Sequence, residues 1–362
     1  MILRRLVESV RRALAPPGIR KMIALGDAIT ASWVSQAIHA VAAAGVADLI
    51  GPAPVAVDEL AQRAGVDEDA LYRVLRMLVP AGLFVQHSGR RFGLTELGAL
   101  LRSDHPDSMR RFAIYNGTPW HWALWGALEQ SLRTGKPSLA GDSGKPLFEF
   151  LAEDADAAAV FDAAMADLSN ARDVSAISGY DFSRYATVAD IGGGEGRLIK
   201  SVLATWPNVK GVLFDRAEVI ERARPRMEAD GFASRCTLIA GSFFEAVPSD
   251  ADAYVLKQVL HDWDDDKAAL ILSNCRLAMG AGACLIVIEM VVPTGAQPSL
   301  AKLSDIEMLV ATGGRERTLD EYDGLFAAAG LRRTGTHATR SPFTLIEAQA
   351  AEGGAAPKTG GP

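Results

Sequence analysis

The chain has 362 residues, long for one average domain and comfortable for two, and its 49% hydrophobic and 22% charged content gives a globular protein with material for a large core. A net charge of −7 provides no general attraction to phosphate backbones or anionic lipid, so nucleic acid and membrane surfaces are set aside as partners. The three cysteines, Cys236, Cys275 and Cys284, are odd in number and lack metal-ligand spacing, which argues against a disulfide framework or zinc site and fits a reducing cytoplasm.

The N-terminal run mixes Arg4, Arg5, Arg11 and Arg12 with Glu8 and reads as an amphipathic helix rather than a secretory leader. No later window is apolar enough to span a membrane. Helical spacing around Ala28, Trp33, Ala37 and Val41, closed by Gly45 and Gly51, predicts one or two packed helices. Residues 55–98 then give helix, glycine turn, helix and a short hairpin with Ser88 and Gly89 at its tip, the order of a winged helix-turn-helix. The second of these helices opens on Asp67, Glu68 and Asp69, which would face carboxylates toward DNA phosphates. We therefore read it as a module that packs Leu71, Val74, Leu75 and Leu78 in a core or against a second subunit.

From residue 109 to 175 the pattern is helical and rich in Trp120, Trp122, Trp125, Phe148, Phe150, Phe161 and Met165; periodicity does not separate core from pocket lining here. After Tyr180, short apolar runs (ATVADI, NVKGVLFD, CTLIAG, DAYVLKQVL, ACLIVIEMVV) alternate with helical segments, which specifies an α/β domain with a parallel sheet wrapped by helices. Two last strands, within GLRRTGTHATRSPFTLIEAQA, are expected to form an antiparallel hairpin on the sheet edge. The predicted divisions are 1–105, a helical linker at 106–178, a nucleoside-binding domain at 179–350 and a disordered Gly/Pro/Ala tail at 351–362.

The sharpest local motif is the strand ending in Asp190-Ile191 that runs into Gly192-Gly193-Gly194-Glu195-Gly196 and a helix. Glycines there let a ligand approach the backbone, and Asp215, ending the next strand, is placed to accept hydrogen bonds from ribose hydroxyls. The GGGEG spacing is not the G-x-G-x-x-G that presents amides to pyrophosphate, and Asp190 suits a cationic amino group better than a phosphate. The ligand is therefore expected to be a nucleoside methyl donor. The second constellation, Lys257-Gln258-Val259-Leu260-His261-Asp262-Trp263, follows the fourth strand, so His261 falls at the mouth of a site beyond the strand ends. Imidazole is the side chain suited to proton removal near neutral pH, and either Glu289 or Glu316 could hold its other nitrogen.

With these motifs in sequence, nearly the whole chain resembles the plant caffeic-acid-type O-methyltransferases and their bacterial small-molecule relatives. The resemblance implies a Rossmann-like class I methyltransferase domain with a mostly parallel seven-stranded sheet, an N-terminal winged-helix dimerisation domain and a homodimer. It implies that S-adenosylmethionine is held by Ser169, Asp190, Gly192, Gly194, Asp215, Ser242, Phe243 and Lys257. Phe243 would lie against adenine, and Ser242 stands where the family often carries an aspartate. The acceptor would meet Phe161, Met165, Asp262, Trp263 and Met308. His261 would be the base, flanked by Glu289 and Glu316, in a direct displacement that needs no metal. Two rival readings are a relative that keeps the donor but hydroxylates, decarboxylates or cyclises, and a winged-helix regulator.

Overall fold

The computed structural model describes residues 16–139, 143–177 and 179–351. The arginine-rich N-terminal segment through residue 15 and the tail from residue 352 lie outside them. The chain divides into two compact units: one spans Met1–Trp122 and Leu151–Leu168, the other Ala123–Phe150 and Ser169–Pro362. Among the described residues, no helix is long and apolar enough to cross a membrane.

In the first unit, helices Pro17–Ile29 and Ala31–Ala43 meet at Thr30, whose hydroxyl donates back to the Gly26 carbonyl at 2.9 Å. Strand β1 (Val55–Ala56) leads into helices Val57–Ala64 and Glu68–Leu78, then strands β2 (Phe84–His87) and β3 (Arg91–Leu94), which form an antiparallel sheet of order β1-β3-β2. This is the helix-turn-helix and wing read from the sequence. The acidic opening at Asp67 has a local use: its carboxylate accepts the Ala70 amide at 2.8 Å and caps the helix. Leu60, Leu71, Leu75 and Leu78 close over Phe84 and Phe92 in the core. The hairpin tip differs by one residue from expectation, because three residues separate β2 from β3 and the left-handed pair is Gly89 and Arg90, with φ of 66° and 55°. Arg90 is held in that uncommon conformation by Glu68, 3.1 Å away, and by the Tyr72 ring beneath its guanidinium.

The second unit carries a seven-stranded sheet of order β6-β5-β4-β7-β8-β10-β9, built from β4 (Thr187–Ile191), β5 (Lys210–Asp215), β6 (Cys236–Ala240), β7 (Ala253–Lys257), β8 (Cys284–Glu289), β9 (Leu331–Ala338) and β10 (Thr344–Ala350). The first five strands pair in parallel; β10 alone runs antiparallel, between β8 and β9. Alternation sends Val188, Leu213, Val255, Ile286 and Ile288 to one face against Leu198, Ile199 and Val202. Ala189, Tyr254, Leu256, Leu285 and Val287 go to the other, against Ile271, Leu272, Tyr322 and Phe326. Both faces are covered, which is why these strands read as unbroken apolar runs. The run DAYVLKQVL overshoots its strand: Gln258 adopts φ of 52°, ends β7 and starts the turn that carries His261.

Candidate active site

The site-bearing residues lie at the carboxyl ends of β4, β5, β7 and β8 and in the segments that follow, where an open α/β sheet leaves a crevice. After β4 the backbone turns through Gly192, Gly194 and Gly196, all with positive φ of 70°, 58° and 77°. The Gly192 amide donates to the Phe214 carbonyl at 2.8 Å, which ties the loop to β5. A Cβ on Gly193 would sit 2.5 Å from Leu213 Cδ1 and 2.6 Å from Asp190 Cγ, so the loop lies directly on the buried Asp190. On its other side, a Cβ on Gly194 would meet nothing within 4 Å.

Asp215 sits beside this loop. Its Oδ2 accepts the Gly194 amide at 2.8 Å and its Oδ1 the Arg216 amide at 2.7 Å. Burial pushes its carboxyl up, against the pull of those two amides. Phe243 and Val259 close the cradle: a Cβ on Gly192 would lie 3.0 Å from Val259 Cγ2 and 3.4 Å from the Phe243 ring. Phe243 packs edge-on to Phe244, which packs edge-on to Trp263, and the Phe243 carbonyl is held by the Asn274 amide at 2.8 Å. Ser242 Oγ accepts the Phe244 amide at 3.3 Å. A glycine loop open on one side, a carboxylate at the strand end and a ring beside them fit a nucleoside donor.

Two residues past Val259, His261 lies in the short helical turn Leu260–Asp262 and is 7% exposed. Its Nδ1 is 2.9 Å from Glu316 Oε1. A carboxylate oxygen only accepts, so Nδ1 carries the proton of that bond in either charge state of the ring, and Nε2 is the nitrogen whose proton comes and goes. Glu316 Oε1 also accepts the Ser304 hydroxyl at 2.7 Å, and the Glu316 amide donates to Asp305 Oδ1 at 3.1 Å. Glu289 has a different task. Its Oε1 accepts the amides of Val259 and Leu260, each at 3.0 Å, while its Oε2 is 3.9 Å from His261 Nδ1. Glu316 thus holds the ring and Glu289 holds the backbone beneath it, a division the sequence left open.

Glu289 Oε2 and Glu316 Oε2 are buried and find no hydrogen-bond donor among the described residues. Such orphaned acceptors cost stability and mark places where electrostatics serves something other than folding. Burial alone would draw the His261 imidazolium down; the charges of Glu289 and Asp262, with the bond and charge of Glu316, outweigh it and hold the pKa up at about 10. Burial pushes the Glu289 carboxyl up to about 7 and that of Asp262 upward. His261, Glu289 and Glu316 each bring a donor atom within 4.8 Å of the others, a set that could hold a metal ion.

The remaining predicted residues are spread more widely. Asp262 Oδ1 lies 3.8 Å from His261 Nε2, and Trp263 stacks near Phe148 with ring centroids 6.1 Å apart. Met308 is buried on helix Leu300–Ala311, whose Glu307 accepts the Trp125 indole N–H at 2.6 Å. Lys257 ends β7, with Nζ 3.1 Å from Gln258 Oε1 and 5.3 Å from the Phe343 ring centroid. Phe161 and Met165 belong to the first unit, on helix Ala155–Ile177, where Phe161 packs edge-on against Tyr115. Ser169 falls further along that helix, and its side chain lies outside the described part of the structure. The sequence reading missed Ser304 and Arg317. An arginine between Glu316 and Thr318 gives no sign that it is buried.

Comparison with known proteins follows the same lines. The family model of the O-methyltransferase domain matches residues 125–332, and that of the O-methyltransferase dimerisation domain matches residues 27–104. The chain is 39% identical over 321 residues to the phenazine O-methyltransferase PhzM of Lysobacter antibioticus, covering 89% of this chain and 94% of that protein. It is 35% identical over 308 residues to the aclacinomycin 10-hydroxylase RdmB of Streptomyces purpurascens, covering 82% of each. Among solved structures, the O-methyltransferase NcsB1 from neocarzinostatin biosynthesis, in complex with S-adenosylmethionine and 2-hydroxy-5-methyl naphthoic acid, aligns with a TM-score of 0.77 at 34% identity, covering 87% of this chain and 95% of that one.

Proposed function

The chain belongs to the S-adenosylmethionine-dependent O-methyltransferases, and on that premise we propose which of its residues carry the reaction and what it acts on. The acceptor is a hydroxyl of a small aromatic or polyketide-like metabolite, and His261 is the general base. The observation that carries this reading is the 2.9 Å contact from His261 Nδ1 to buried Glu316, which engages that nitrogen and leaves Nε2, two residues from Val259 in the donor cradle, as the one that gives up its proton when the ring becomes neutral and then accepts one.

The donor, when bound, supplies a methyl group on a cationic sulfonium. Gly192, Gly194, Asp215, Ser242 and Phe243 would hold it, with Asp215 toward the ribose and the Phe243 ring toward the adenine; Asp190, Ser169 and Lys257 would complete the set. Asp262, Trp263 and Met308 contact the acceptor. His261 Nε2 would take the proton of the acceptor hydroxyl, and Glu316 and Glu289 would stabilise the imidazolium that forms. Most of the rate would come from these residues holding the acceptor hydroxyl close to the bound donor, and no metal is called for. Residues 1–105 serve dimerisation and residues 179–350 the transfer, in a cytoplasmic protein that leaves nucleic acid alone; a gel shift at low salt tests the last point.

The hydroxylase among the relatives gives the competing reading some standing. Mass spectrometry of reactions with S-adenosylmethionine and a panel of phenols, hydroxyquinones and phenazines separates them: a gain of one methyl that disappears in His261→Ala supports the assignment, and a hydroxylated product or full turnover in that variant overturns it. Exposed Ile19, Met22, Leu25, Ile29 and Trp33 on the first two helices supply the apolar surface for a homodimer. Light scattering is expected to give twice the 38.4 kDa chain mass.

A further inference from the structure

We infer that Arg317 is a positioning residue of the transfer reaction, its buried guanidinium fixing the turn that carries His261. The inference rests on the assignment of His261 as the base. Arg317 has 0% exposure, although it bears a permanent charge that burial makes costly unless every donor is matched. Its partners are matched, and they converge on one place. Nε and Nη2 donate to Asp265 Oδ1 at 3.0 and 2.8 Å, Nη1 donates to the Leu260 carbonyl at 2.9 Å and to the Arg315 carbonyl at 3.3 Å, and Nη2 donates to the Trp263 carbonyl at 2.8 Å. Leu260 and Trp263 flank His261 and Asp262 on either side.

The backbone around Arg317 is pressed against the same turn. A Cβ on Gly314 would fall 2.0 Å from the His261 carbonyl oxygen, and the Arg315 amide donates to that oxygen at 2.9 Å. Arg317 is itself anchored beyond β8: it bridges Val291, and its carbonyl accepts the Val292 amide at 2.9 Å. The His261 turn begins at a left-handed Gln258 and has little regular ladder of its own. Glu289 takes amides on its incoming side, and Arg317 serves carbonyls on both sides of the histidine. A planar fork reaches four acceptors in different directions; a lysine ammonium on a single stem does not replace it. Without that fork the imidazole loses its alignment with Glu316.

The test uses the full-length protein with Arg317→Met and Arg317→Lys, beside His261→Ala. Donor affinity is measured by calorimetry, and kcat, acceptor KM and the pH profile are normalised to donor-binding sites. Arg317→Met is expected to keep donor Kd and acceptor KM within about threefold while kcat falls roughly 30- to 100-fold, as a displacement of the reacting group predicts. Its acidic limb moves to lower pH as His261 parts from Glu316, and Arg317→Lys recovers part of the loss. A kcat per donor site within about threefold of the parent in Arg317→Met overturns the inference, whatever its melting temperature, because a purely structural role lowers stability and spares turnover. Should that variant fail to fold, Asp265→Asn weakens the same clamp from a half-exposed position; it is expected to lower kcat and speed amide exchange at residues 259–263, and no change in either is equally fatal. Turnover in His261→Ala removes the base assignment itself, whereas its loss beside normal kcat in Arg317→Met removes only the role of Arg317.

Discussion

Replacing Glu316 by glutamine keeps a hydrogen-bond acceptor 2.9 Å from His261 Nδ1 and removes its charge. Hydrogen bonds to charged groups contribute roughly 1.5–3 kcal/mol and neutral ones roughly 0.5–1.5, so the imidazolium loses about 1–1.5 kcal/mol of support. Since 1.36 kcal/mol corresponds to one pH unit and to a factor of ten, the plateau kcat is expected to fall about tenfold. Glu316 is among the groups that raise His261, so its neutralisation lowers the pKa of the base. The acidic limb of the rate profile then moves about one unit to lower pH. The two effects oppose each other below the limb, where more of the variant's imidazole is already neutral, so the deficit shrinks toward neutral pH and is largest on the plateau. The amide nitrogen of the introduced glutamine would take the place of the orphaned Glu316 Oε2 in a buried spot, which costs about 1–3 kcal/mol of stability if no acceptor meets it. The assay is kcat/KM for the acceptor at saturating donor, from about pH 7 to above the limb set by a base held up at about 10, so that the plateau is reached. An unchanged limb with a plateau within twofold, or a limb displaced to higher pH, refutes the reasoning.

Asp215→Ala removes the carboxylate that accepts the Gly194 amide and is proposed to meet the donor ribose; calorimetry is expected to show donor affinity about 10- to 100-fold weaker, and an unaltered Kd would take Asp215 out of the cradle. Gly193→Ala forces a methyl to 2.5 Å from Leu213 Cδ1, so thermal unfolding should register a loss of about 1–3 kcal/mol together with weaker donor binding. Chelation bears on the His261, Glu289 and Glu316 cluster: activity is expected to survive EDTA within about twofold, and a loss restored by a divalent cation would make those three residues ligands rather than a base and its carboxylates.

What the sequence disclosed and what it hid separate along a physical line. The glycine loop and the place of Asp215 beside it were legible because they depend on neighbours in the chain: glycines between a strand and a helix, and an acid at the next strand end. His261 was placed by the rule that ligands gather beyond strand ends. The partner of its Nδ1 was not legible, since Glu316 lies 55 residues away and Glu289 stood as an equal candidate. Only the fold reveals that Glu289 spends one oxygen on the Val259 and Leu260 amides. Arg317 was hidden for the opposite reason. Charged side chains are almost always solvated, and nothing local marks the exception, because its partners Leu260, Trp263 and Asp265 come from another segment. The overrun at Gln258 reflects a residue type that carries no left-handed signal.

The place of β10 bears on how the chain acquires its activity. It pairs with β8 through Thr344 opposite Glu289 and with β9 through Thr344 opposite Ala338. During synthesis, therefore, β8 keeps a bare apolar edge until residues near 350 have left the ribosome, and β9 has no strand to join before then. Loop closure between β8 and β10 spans more than fifty residues, which makes this a late step and the open edge a target for mispairing with another nascent chain. A nascent chain stopped before Thr344 would hold the glycine loop, His261 and Glu316 in its sequence and still lack the strand that pairs at Glu289, so the last pairing in the sheet also secures a carboxylate proposed to support His261.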